Sequence, residues 1–116
     1  MKKKYLIFGA IGLLAILIFN SIIIYNPKSK DCVVLNKTIT GIKEGSTFDI
    51  LFKDLQGERY YINRGLEQGL NLDSLNAKVL NKSVTLHLAK ILGGMVTTSH
   101  ISQLAVGDDI IFTEFE

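Results

Sequence analysis

Thr47-Phe48-Asp49-Ile50-Leu51-Phe52-Lys53, followed by Asp54-Leu55-Gln56-Gly57-Glu58 and then Arg59-Tyr60-Tyr61-Ile62-Asn63, decides how this chain folds. Phe48, Ile50 and Phe52 alternate with Thr47, Asp49, Leu51 and Lys53, the period of two that marks a half-buried strand. Tyr60 and Ile62 repeat that pattern after the break. A three-residue loop ending in Gly57 suits a hairpin, because glycine takes the left-handed position at little cost. With that loop Asp54 pairs with Glu58, and the register follows. Phe52 then faces Tyr60 and Ile50 faces Ile62 on the core side. Leu51 opposite Tyr61, Asp49 opposite Asn63 and Lys53 opposite Arg59 make the other face.

On the amino-terminal side, Cys32-Val33-Val34-Leu35 opens a β-branched run through Ile39 and Ile42, closed by the turn signal Glu44-Gly45-Ser46. On the carboxyl-terminal side, Gly65 and Gly69 mark an irregular connection. Asp73 is the expected N-cap of a short helix reaching Asn81, with Leu72, Leu75 and Val79 on one stripe. Val84, Leu86 and Leu88 alternate with Ser83, Thr85 and His87, and Gly93-Gly94 turns that strand back. His100 to Glu116 offers two short strands around Gly107-Asp108-Asp109. Three strands, a short helix and further strands predict an all-β domain: a five-stranded OB-like Greek-key barrel with the helix between strands 3 and 4.

Tyr60-Tyr61-Ile62, the step Leu75…Leu80-Asn81-Lys82-Ser83-Val84 and Ile101-Ser102-Gln103-Leu104 carry a resemblance that covers most of the chain. In these residues it resembles small bacterial membrane-anchored proteins with an OB-like extracytoplasmic domain. The resemblance implies an architecture and a location, and no activity.

Residues 5–25 read YLIFGAIGLLAILIFNSIIIY, with Asn20 and Ser21 the polar exceptions. As a helix rising about 1.5 Å per residue, this stretch spans about 31 Å, the thickness of a bilayer's hydrocarbon core. Tyr5 and Tyr25 bracket it at the interfacial positions aromatic rings prefer. A cleaved signal peptide has a shorter apolar core, and no small-residue pair stands at suitable spacing after this one. The expected organisation is a basic cytoplasmic tail (1–4), an uncleaved transmembrane helix (5–25), a linker (26–31) and the barrel (32–116). Lys2, Lys3 and Lys4 before the span, against Lys28, Lys30 and Asp31 after it, orient the domain extracytoplasmically. Cys32, the single cysteine, excludes an internal disulfide and is a candidate for a disulfide-linked homodimer.

Thirteen basic residues stand against eleven acidic ones. Setting aside Lys2 to Lys4 leaves ten against eleven, so the domain has no basic surplus for phosphates, which argues against nucleic acid. His87 and His100, the only histidines, are expected at the surface, His100 in a Thr-Thr-Ser-His loop. No Cys or His cluster offers metal ligands, no G-x-S-x-G elbow is present, and the glycine pairs lack a phosphate-cradle context, so neither metal nor cofactor is expected.

Two surfaces are candidates for binding. One is the outward hairpin face, Leu51, Lys53, Arg59, Tyr61 and Asn63, where OB folds commonly hold ligands. The other is the apolar tip around Gly93-Gly94, with Ile91, Met95 and Val96 outward and Leu92 inward. The expected function is a membrane-tethered, non-catalytic module binding a protein or cell-envelope component. Single-stranded nucleic-acid binding, with Tyr61 stacking a base, is the alternative, and a small enzyme comes third.

Overall fold

The computed structural model describes residues 28–115. The basic tail, the hydrophobic stretch 5–25 and the start of the linker lie outside the described residues, and among those described no helix is long and apolar enough to cross a membrane. The domain is mostly β: β1 (Cys32–Glu44), β2 (Ile50–Asp54), β3 (Arg59–Ile62), the helix α1 (Leu72–Lys78), β4 (Ser83–Ile91), β5 (Val96–Val106) and β6 (Asp109–Thr113).

Five strands close into a barrel. β1 pairs antiparallel with both β2 and β4, β2 with β3, and β4 with β5, while a parallel contact of Tyr61 with His100 joins β3 to β5. One strand serves two neighbours because β1 changes partner midway. Cys32 to Thr38 face β4, and Ile39 to Glu44 face β2. The register slips between Ile39 and Gly41, a bulge whose extra residue, Thr40, donates its hydroxyl to the Asp54 carbonyl at 3.2 Å. Such bulges bend a strand and raise its twist, which lets the sheet curl shut. β6, the sixth strand, extends the edge of β5 beyond the point where β3 leaves it.

The hairpin holds the expected register, with Ile50 opposite Ile62, Leu51 opposite Tyr61, Phe52 opposite Tyr60 and Lys53 opposite Arg59. Ile50, Phe52, Tyr60 and Ile62 are buried with Ile39, Val84, Leu86, Leu88, Ile101, Leu104 and Phe112, and Leu75 and Val79 of α1 pack onto the same core. Leu72 shares their stripe, partly buried.

Several expectations are corrected. β2 begins at Ile50, because Thr47 and Phe48 both take left-handed backbone (φ 55° and 64°), which ends the alternation and turns Phe48 outward. The N-cap of α1 is Asn71, whose side chain accepts the Ser74 amide at 3.1 Å. Asp73 lies in the first turn instead, where its charge suits the helix dipole. α1 ends at Lys78, short of Asn81, whose left-handed φ of 63° turns the chain into β4. Finally, β5 starts at Val96, so the Thr-Thr-Ser-His segment is strand and His100 is buried.

A candidate binding groove on the outer face of β1, β2 and β3

Alternation sends Leu51, Lys53, Arg59 and Tyr61 to the outside of the barrel, and the β1–β2 register sets Gly41 beside Lys53 and Lys43 beside Leu51. The result is a groove of about 270 Å³ lined by Gly41, Ile42, Lys43, Leu51, Phe52, Lys53 and Arg59. Gly41 carries no side chain, so the trough between the flanking cations stays open. Leu51 supplies an apolar floor and is held from behind by Gly45, where an added Cβ would approach Leu51 Cγ to 2.9 Å.

The electrostatics of this groove are one-sided. Lys53 and Arg59 are direct cross-strand partners, and like charges so placed repel. Lys43 adds a third cation diagonally across from Lys53. All three are exposed, and none lies within 4.0 Å of a carboxylate among the described residues. By contrast, Lys37 reaches Asp54, and Arg64 clasps Glu67 at 2.6 Å.

The structure therefore gathers three of the predicted residues, Leu51, Lys53 and Arg59, and separates the rest. Tyr61 lies along the same face, half-buried, with its ring edge-on to His100 at a centroid distance of 5.5 Å. Asn63 lies past the end of β3, its carbonyl accepting from the Gln68 side chain, and does not line the groove. Ile91, Met95 and Val96 belong to a separate site at the β4–β5 tip. Gly41 and Lys43 were missed. They become visible only once the bulge at Thr40 is known, because it sets which β1 residues share the outer face.

A second polar cluster escaped the sequence entirely. His100 Nε2 meets both carboxylate oxygens of Glu114, at 3.0 and 2.9 Å, and Phe115 lies edge-on to His87. This segment after β6 crosses the outside of β5 and covers it. Ser102 is fully buried beneath it, and its hydroxyl has no hydrogen-bond partner among the described residues. Nearby, burial pushes the Cys32 thiol up, and Asp31 and Glu114 add to the rise. A thiol so held is the reverse of an activated nucleophile. The cluster fastens the carboxyl-terminal segment to the barrel. No group of three or more His, Cys, Asp or Glu among the described residues is arranged to hold a metal ion.

No family model, curated protein or solved structure matches this chain.

Proposed function

We propose that this protein is a membrane-tethered, non-catalytic module that holds an anion-bearing protein or cell-envelope component in the groove between Lys43, Lys53 and Arg59. The observation that carries this reading is the direct pairing of Lys53 with Arg59 over an apolar floor. An arrangement that weakens the free domain is explained if an anion sits between the two charges. In this reading the barrel is OB-like. The helix between β3 and β4 and the closure through β1, β2, β3, β5 and β4 support that, and the groove lies on the face where OB folds hold ligands. Residues 5–25 are the single-pass anchor, with the amino terminus cytoplasmic and the domain extracytoplasmic, in keeping with the resemblance to small bacterial membrane-anchored proteins.

Cross-linking capture with the intact tethered protein tests the groove. The native chain should capture an acidic partner that the triple variant Lys43→Ser, Lys53→Ser, Arg59→Ser loses while unfolding at the same temperature. A partner retained by the variant removes the groove from the reading. On intact cells, with any outer envelope opened, a membrane-impermeant thiol reagent should label Cys32, best at mildly alkaline pH because burial raises this thiol. Labelling only after lysis reverses the orientation, and a processed chain lacking Lys2 to Lys4 removes the anchor. A non-reducing gel of the same membranes tests the Cys32-linked homodimer.

The groove's three cations also favour a second reading, single-stranded nucleic-acid binding, despite the neutral balance of the domain. It has lost its stacking platform in part, since Tyr61 is packed against His100. A salt-dependent shift with single-stranded DNA, abolished in the triple variant, would establish it.

A further inference from the structure

We propose that the β4–β5 tip, residues 91–96, docks into the lipid interface of the bilayer that anchors residues 5–25. The tip is thereby a second membrane contact that fixes how the barrel sits. The inference rests on the tether reading given above.

β1 and β4 are antiparallel, with Cys32 opposite Ala89 and Thr38 opposite Ser83. β4 therefore runs on past Ala89 toward the pole from which β1 starts, and its turn begins three residues later, at Leu92. The tip and the point where the chain arrives from residues 5–25 share one end of the barrel. The linker, 26–31, spans at most about 20 Å, so this pole stays close to the membrane surface.

Met95 is 86% exposed and Val96 41% exposed, while Ile91 and Leu92 are half-buried beside them. Leu92 does not complete the inward alternation expected from Leu88, because the β4–β5 register shifts on both sides of Leu88, burying Leu88 and Ala89 in succession. Apolar side chains that the core does not take gain by leaving water for another apolar medium. Gly93 and Gly94, both at positive φ, make a narrow turn that lets Met95 project.

The charge around the tip fits the same partner. Lys28 and Lys30 are exposed at this pole, and Lys90 lies close enough to act on the Cys32 thiol. Of the two acids that also act on that thiol, Glu114 is engaged by His100 and Asp31 alone opposes the lysines. Apolar residues ringed by lysine are the composition of an interfacial contact with anionic lipid. With the tip held there, the groove lies toward the other end of β1, at Gly41 to Lys43, and stays open to a ligand.

The full chain, carrying Cys32→Ser and Met95→Cys, is labelled at position 95 with a small fluorophore. It is then reconstituted into vesicles of phosphatidylcholine and phosphatidylglycerol. The reference is the same chain with Leu55→Cys in place of Met95→Cys, since Leu55 is exposed on the distant β2–β3 turn. The label at 95 should be severalfold less accessible to aqueous iodide than the label at 55, and quenched by nitroxide-bearing lipid. Equal iodide access at both positions in protein that floats with the vesicles overturns the proposal and leaves the tether standing. Protein that does not float overturns both.

Discussion

The Tyr60 hydroxyl donates a 2.8 Å hydrogen bond to Asp54 Oδ2, and this carboxylate is buried at the end of β2, where alternation would otherwise put an apolar residue. Its other oxygen accepts the amides of Gln56 and Glu58 at 3.0 and 2.9 Å, and Lys37 lies 4.0 Å away. One carboxylate thereby ties the β2–β3 turn to the barrel wall and keeps Lys53 and Arg59 in register above it.

Burial pushes the Asp54 carboxyl up, but the Tyr60 hydroxyl, the two amides and Lys37 outweigh it and hold the group below its ordinary range. Because the folded-state value lies below the unfolded one, the carboxylate contributes its full stability above about pH 4, and that contribution is lost as pH falls through the depressed value. Asp54→Ala, which leaves buried donors unpaired, should cost about 2–3 kcal/mol at neutral pH. Asp54→Asn should flatten the acid limb of stability against pH, measured by denaturant titration. An unchanged acid limb would assign the acid sensitivity to other groups.

Phe52 and Leu51 are neighbours in sequence on opposite faces of the barrel wall. Phe52→Ala should destabilise the domain by about 3–5 kcal/mol, as a large-to-small change in a packed core. Leu51→Ala, on the half-buried outer face, should cost well under half of that. Equal costs in chemical denaturation would show that the groove floor is part of the core.

Gly65 is buried against the hairpin, and a Cβ there would approach Ile50 Cδ1 to 2.7 Å and Ile62 Cγ2 to 3.1 Å. Both isoleucines are fully buried and have no room to give. Gly65→Ala should cost about 1–3 kcal/mol through overpacking. Adding Ile50→Val, which removes the offending Cδ1, should recover part of that loss, so a purely additive double variant would refute the steric account.

The hydrogen-bonded contact of His100 with Glu114 is largely buried, unlike the exposed Arg64–Glu67 pair. Glu114→Ala should cost about 1–3 kcal/mol and free residues 114–115 from the barrel, seen as faster amide exchange there and altered ring shifts of His87. A cost within error of zero would mean the segment is held by Phe115 and by the Glu114 amide, which donates to the Ser102 carbonyl at 2.8 Å.

Local patterning determined a good deal here. The period of two across Ile50 to Ile62, with a three-residue loop ending in Gly57, was sufficient for the hairpin register and its two faces, since each pairing step follows from the one before. The stripe of Leu72, Leu75 and Val79 and the placing of a helix before β4 were legible for the same reason. So was the apolarity of the tip. What the tertiary structure decided depends on contacts distant in sequence. The bulge at Thr40 brings Lys43 and Gly41 onto the face of Lys53 and Arg59, and no periodicity announces it. His100 reads as a loop residue until Glu114 covers it and Tyr61 meets it edge-on, three positions from β5, the segment after β6 and β3. A strand's alternation says which residues share a face; only closure of the barrel says which faces meet, because that is set by where bulges bend the chain.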